Sequence, residues 1–188
     1  ETTKDIVGAD LILDRLLSAP DSGDRYSIFK ALIKGLEKNN KNDISAITLS
    51  EVYTKICEDE ISNAPEIPGA LNTLSELKNR KIKIFVSSAT PVNTLQRIIG
   101  IRGWSSLFED IMGSPESKED HIKRILSLNN YSLSEVVYVG DSEVDQKASL
   151  SIGCKFVGIG TDSSRFNGRP TVLLNTIKSP LSIWVKKS

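Results

Sequence analysis

The stretch VVYVGDSEVD, residues 136–145, puts two carboxylates, Asp141 and Asp145, four positions apart just after an apolar run. Val136–Val139 is short, β-branched and bounded by turn chemistry, the pattern of a strand buried on both faces of a parallel sheet, and Gly140 ends it. Beyond Ser142, Val144, Ala148 and Ile152 recur at helical spacing. Asp141 therefore falls on the strand's C-terminal edge, Asp145 falls in the first turn that follows, and both can face one point. Close carboxylates repel each other unless a cation or proton intervenes, and hard Mg²⁺ takes one or two carboxylates together with phosphate oxygens. Two further clusters suit a phosphate. In IFVSSATP, Ser87 and Ser88 follow the mostly apolar run Ile82–Val86, and Thr90-Pro91 reads as an N-cap followed by a first-turn proline. Hydroxyls and helix-start N–H groups there would hold a phosphate oxygen. In GSPESKEDHIKRIL, Ser114-Pro115 opens a helix with Lys118 in its first turn. A cation in that position opposes the helix macrodipole, which points to an anion held nearby.

The elements that would position these groups alternate. After APEIPG the pattern predicts a helix at Ala70–Asn79, a strand at Ile82–Ser87, a helix at Pro91–Ile99 and a short strand at Asp110–Met112. A helix at Glu116–Leu128, the strand Val136–Val139, a helix at Val144–Ser151, the strand Lys155–Ile159 and an apolar run Val172–Leu174 follow. Such alternation predicts an α/β fold, a doubly wound parallel sheet with helices on both faces, and ligands in that architecture bind beyond the carboxyl ends of the strands. Residues 1–64 read instead as a small helical lobe, with helices at Lys4–Leu17, Tyr26–Leu36 and Glu51–Ile61, the last capped by Ser50. Residues 65–188 form the α/β core.

Composition narrows the class of partner. Twenty-four Lys and Arg balance twenty-four Asp and Glu, so no net positive field recruits nucleic acid or an anionic bilayer, and no membrane span is evident. Cys57 and Cys154 are far apart and lack metal-type spacing, which suits a reducing, cytoplasmic compartment, with Cys154 in the core. His121, the only histidine, is one helical turn beyond Lys118 and reads as a surface residue. The single Gly-x-Gly of VGIGTDSSRFNG lacks the third glycine of a dinucleotide fingerprint. Trp104 and Trp184 read as packing residues, and WVKKS as a solvated tail.

Each polar cluster alone has an ordinary explanation as a turn, a surface lysine or a helix-start acid. Their order along the chain, hydroxyl, lysine, acidic pair, resembles the haloacid dehalogenase-like (HAD) hydrolase superfamily, in the branch similar to phosphoglycolate phosphatase and β-phosphoglucomutase with a helical cap. EIPGALNTLSELKNRKIKIFVSSATP resembles the segment carrying its phosphate-binding hydroxyl, here Ser87 with Ser88 beside it. LFEDIMGSPESK resembles the segment carrying its phosphate-binding lysine, here Lys118, and VVYVGDSEVD the segment carrying its magnesium carboxylates, here Asp141 and Asp145. GDRYSIF, with Arg25, resembles a cap segment that would face substrate. The resemblance implies a Rossmann-like core, Mg²⁺ as cofactor and hydrolysis of a small phosphorylated metabolite through an aspartyl-phosphate, with Ser87, Lys118 and Asp141 in the catalytic machinery.

The superfamily's first motif, an apolar strand ending in Asp-x-Asp, has no counterpart here. IVGADLILD has Ile12 two positions after Asp10, and its apolar spacing is helical. The chain opens on Glu1 without an initiator Met, so the expectation is that the nucleophilic strand lies upstream of Glu1 in a longer polypeptide. In relatives that strand sits between those corresponding to Ile82–Val86 and Val136–Val139. Without it, backbone groups on two inner edges would lack partners. Other chemistries on this fold remain open. A non-catalytic binding or regulatory protein would have lost the nucleophile, and phosphoglucomutase is another chemistry that the resemblance includes. A dehalogenase would not need the acidic pair. A phosphonatase would need a Schiff-base lysine from the cap, for which Lys4, Lys30, Lys34 and Lys55 are the candidates and no motif singles one out.

Overall fold

The computed structural model describes residues 25–36, 45–168, 172–174 and 177. The chain divides into two compact units, Glu1–Asn63 and Ala64–Ser188. In the first, α1 (Arg25–Leu36) packs against α2 (Ala46–Asn63). Leu32 and Leu49 are buried, and Phe29 meets Tyr53 edge-on with ring centroids 5.6 Å apart. That geometry aligns the positive edge of one ring with the negative face of the other. Helix α2 begins at Ala46 rather than Glu51 because Ser45, not Ser50, caps it. Ser45 Oγ accepts the Thr48 N–H at 3.1 Å, while the Ser50 carbonyl sits inside the helix and accepts from Thr54 Oγ1. The predicted helix Lys4–Leu17, Trp184 and the WVKKS tail lie outside the described residues, as do the side chains of Arg25 and Cys57.

The second unit runs α3 (Ala70–Asn79), β1 (Phe85–Pro91), α4 (Val92–Ile101), β2 (Asp110–Ser114), α5 (Lys118–Asn129), β3 (Val137–Gly140), α6 (Glu143–Ile152), β4 (Lys155–Ile159) and β5 (Leu173–Leu174). All strand pairings are parallel. Strand β1 pairs with β2, and β4 lies between β3 and β5. Among the described residues, β1 and β3 each carry a strand on one side only. No described helix is long and apolar enough to cross a membrane.

Three local boundaries and one burial expectation differ from the sequence reading. Strand β1 begins at Phe85 and not at Ile82, because the Ile82 N–H closes α3 by donating to the Leu77 carbonyl and Lys81 sits at φ 61. Pro91 is the last residue of β1, with an extended ψ of 135, so α4 opens at Val92. Ser114-Pro115 does not open α5. Ser117 caps that helix by accepting the Asp120 N–H, and Lys118 is its first residue. Strand β3 is not covered on both faces: Tyr138 is buried, whereas Val139 is 36% exposed.

The core gathers Ile122 of α5, Tyr138 of β3, Ala148 of α6, Cys154, Phe156 of β4 and Phe166, with Phe156 and Phe166 edge-to-face at 5.9 Å. Cys154 is thus a packing residue, as its sequence context suggested. The junction of β1 and α4 is tight. Between Ser87 and Pro91, β1 bulges relative to β2, and the Ser88 hydroxyl accepts the Thr90 N–H across the bulge. Gly113 of β2 runs against that junction. A Cβ there would lie 2.3 Å from the Thr90 carbonyl oxygen and 2.8 Å from Val92 N, so no larger residue fits.

Candidate active site

Lys118, the first residue of α5, and Asp145, in the first turn of α6, meet beyond the ends of β1 and β3. Nζ of Lys118 donates to Oδ1 of Asp145 at 2.5 Å, and the two side chains are only 17% and 8% exposed. The anion that compensates Lys118 at its helix start is therefore Asp145. Asp145 is placed by its own helix. Ser142 caps α6 by accepting the Asp145 N–H and also donates its hydroxyl to Asp145 Oδ2 at 2.6 Å. Gly140 makes the close approach possible, since a Cβ there would stand 2.3 Å from the Asp145 Cβ.

The carboxyl of Asp145 experiences opposing influences. Burial raises its pKa, but hydrogen bonds from Lys118, Ser142 and Tyr138 and the charge of Lys118 outweigh burial and hold it below the ordinary 3.8. A carboxylate whose folded pKa is depressed contributes stability that is fully present above its unfolded value and is lost as pH falls through the folded value. Urea melts in EDTA at and below pH 3.8 should therefore show a steeper loss of stability in the wild type than in Asp145→Asn, which has nothing to titrate there. Parallel curves for the two proteins would contradict this account of Asp145.

From Asp145 a chain of hydrogen bonds continues to β1. The phenol of Tyr138 lies 3.3 Å from Asp145 Oδ1 and 3.1 Å from Ser87 Oγ, and Ser87 Oγ lies 2.8 Å from Nδ1 of His121. Burial, countered in part by Ser87 and reinforced by the Asp145 charge, pushes the Tyr138 phenol up to about 12, so it is a neutral donor near neutral pH. His121 is not the surface residue the sequence suggested. It is fully buried, one turn along α5 from Lys118 and on the same helix face.

The remaining candidates sit differently. Asp141 is exposed at the end of β3, and Nη2 of Arg165, from the turn Ser163–Arg165, reaches its Oδ2 at 3.2 Å. The two carboxylates thus have different cationic partners, Arg165 for Asp141 and Lys118 for Asp145. Ser88 is engaged across the β1 bulge, away from the chain that contains Ser87.

Mg²⁺ retains several waters and binds through one or two carboxylates plus phosphate oxygens. Asp141, exposed just after β3, and Asp145, in the first turn of α6, supply oxygen donors of the kind that mode uses. Among the described residues no cluster of three or more His, Cys, Asp or Glu side chains forms a closed cage.

Tyr138, Ser142 and Arg165 have no role in the sequence reading, and His121 is assigned there to the surface. Two left a signal. Ser142-x-x-Asp145 has the spacing of a capping box, and His121 is at i+3 from Lys118. Tyr138 was visible only as another apolar position of the strand, and Arg165 is brought in by a turn that no periodicity announces.

A parallel α/β core with a hydroxyl, a lysine and a carboxylate joined at its strand ends is of the Rossmann-like class. The sequence model of the haloacid dehalogenase-like hydrolases matches residues 25–159, and the chain belongs to that family. Solved structures agree in fold. A predicted β-phosphoglucomutase from Thermotoga maritima superposes with a TM-score of 0.72 at 17% identity, covering 93% of this chain and 81% of its own. The predicted HAD-hydrolase YfnB from Bacillus subtilis, in a structure bound to magnesium, gives 0.71 at 17% identity, covering 97% and 83%. A predicted phosphoglycolate phosphatase from Haemophilus somnus 129pt gives 0.68 at 17% identity, covering 95% and 89%. At these identities the likeness is one of fold. No curated protein sequence matches the chain.

Proposed function

We propose that this chain carries the phosphate-binding and metal-binding machinery of a Mg²⁺-dependent phosphatase acting on a small phosphorylated metabolite in the cytoplasm. The observation that carries this reading is the convergence of Ser87, Lys118 and Asp145, from three separate sequence segments, in one hydrogen-bonded chain at the strand ends. A hydroxyl and an ammonium joined in this way suit the oxygens of a phosphoryl group, whose charge must be held as it develops. The helical unit is proposed to act as a cap that selects the leaving group.

In this reading the nucleophile is the first aspartate of an Asp-x-Asp strand upstream of Glu1. The open edges of β1 and β3 among the described residues support a strand between them. Its carboxylate attacks phosphorus in line and the P–O bond to the leaving alcohol breaks. The alcohol takes a proton from the second aspartate, and water then hydrolyses the aspartyl-phosphate. Lys118 and Ser87 hold the non-bridging phosphate oxygens throughout. Asp141 would hold Mg²⁺, with Asp145 ligating through water or orienting Asp141, and the ion would offset the repulsion between the carboxylate and the phosphate dianion.

The test uses the polypeptide extended upstream of Glu1. It is expected to hydrolyse p-nitrophenyl phosphate with Mg²⁺ and to stop in EDTA. Asp141→Asn is expected to weaken Mg²⁺ binding, measured calorimetrically, more than Asp145→Asn does, because Asp145 is already committed to Lys118, Ser142 and Tyr138. Equal turnover with and without EDTA would remove the metal from the reading. An upstream segment without Asp-x-Asp would replace the phosphatase with a non-catalytic phosphate-binding protein.

A further inference from the structure

His121 has no part in the chemistry proposed above, yet it is fully buried with its two ring nitrogens treated differently. Nδ1 is 2.8 Å from Ser87 Oγ. Among the described residues Nε2 has no hydrogen-bond partner, and Oε2 of Glu116 stands 3.9 Å away on a side chain that Arg124 also engages. That separation exceeds hydrogen-bonding distance.

A serine hydroxyl has one proton to donate and two lone pairs to accept with. The contact between Nδ1 and Ser87 admits one arrangement for each histidine tautomer. In one, Tyr138 donates to Ser87 and Ser87 donates to an unprotonated Nδ1, so the only proton of Ser87 is consumed inside the protein. The histidine proton then sits on Nε2, where no acceptor among the described residues lies within hydrogen-bond reach. In the other, Nδ1–H donates to one lone pair of Ser87 Oγ, and the Tyr138 phenol donates to the second lone pair at 3.1 Å or to the Asp145 carboxylate at 3.3 Å, so the Ser87 proton is not consumed in either case. Nε2 is then a buried lone pair, and a buried acceptor without a partner is better tolerated than an orphaned N–H. Only the second arrangement leaves the Ser87 proton available for a phosphate oxygen.

We propose that His121 is a positioning residue: its Nδ1–H donates to Ser87 Oγ and so orients the Ser87 hydroxyl proton toward bound phosphate. The inference rests on Ser87 being a phosphate ligand, as in the reading above. It accounts for a histidine buried at a position where the superfamily resemblance asks for none.

The experiment pairs two readouts on the full chain. Long-range ¹H–¹⁵N correlation of the imidazole should show the Nδ1–H tautomer in the wild type. Phosphate binding is followed by ³¹P NMR titration with inorganic phosphate, alongside thermal melting. Ser87→Ala and His121→Leu should each weaken phosphate binding by about three- to tenfold, the range expected for one hydrogen bond. His121→Asn, whose amide nitrogen can occupy the Nδ1 position, should bind within about twofold of the wild type, a rescue that packing alone would not produce. An Nε2–H tautomer in the wild type overturns the inference. So does a weakened Ser87→Ala beside an unchanged His121→Leu, or an Asn variant no better than Leu. A wild type that does not bind phosphate, or a Ser87→Ala variant that binds it unchanged, overturns the phosphate role of Ser87 and the inference with it.

Discussion

Lys118→Ala, in the polypeptide extended upstream, is expected to lower phosphate monoester turnover by at least about 10²–10³-fold, the usual cost of one electrostatic donor at a site of developing charge. It is also expected to lower stability, which sequence alone does not suggest. Lysine at a helix start reads as dispensable for folding, but its ammonium is the partner of a carboxylate that is only 8% exposed. Removing it leaves Asp145 buried with a charge balanced by hydroxyls alone, a loss of about 1–3 kcal/mol. The two effects can be separated. Adding Asp145→Asn to Lys118→Met removes the uncompensated charge and should recover part of the lost melting temperature while recovering none of the turnover. Turnover by Lys118→Ala close to that of the wild type would take the lysine out of the site.

Gly140→Ala should be nearly as damaging through a different route. The added methyl would stand 2.3 Å from the Asp145 Cβ, 2.5 Å from its Cγ and 2.8 Å from Oδ2. Those atoms cannot swing aside cheaply, because Lys118, Ser142 and Tyr138 all hold the carboxylate. Either the start of α6 shifts away from β3 or Asp145 loses its partners. Overpacking of this kind costs about 1–3 kcal/mol. A displacement of the acid and its lysine by about an ångström can cost about 10²-fold in rate. Gly100→Ala is the control. Its Cβ would meet nothing nearer than Ser105 Oγ at 3.9 Å, and in the exposed face of α4 it should stabilise slightly, by about 1 kcal/mol at most. If both alanines behave alike in melting and turnover, the contact at Gly140 does not position Asp145.

The core fold was legible because its signals are local. Lys155–Ile159 forms a strand with the predicted ends, and Val136–Val139 is displaced by one residue, since apolar runs bounded by turn residues report directly on pleated, half-buried backbone. Helix starts were less legible. Ser45 and Ser50, or Ser114 and Ser117, are chemically equivalent N-caps, and which one serves depends on where the preceding chain allows the first turn to close.

The site divides along the same line. The types and order of Ser87, Lys118, Asp141 and Asp145 are sequence properties, as is the absence of Asp-x-Asp, because residue chemistry and spacing along a strand or a helix turn need no long-range contact. Which groups touch which was decided by tertiary structure alone. Parallel crossovers bring the ends of β1 and β3 and the starts of α5 and α6 together across intervening elements. That assembly gives Lys118 to Asp145 and Arg165 to Asp141, cationic partners that the spacing of the two carboxylates does not announce. It also buries His121 against Ser87, a residue 34 positions away along the chain. Periodicity cannot register such a contact, since it reports the face of a helix and not what that face meets.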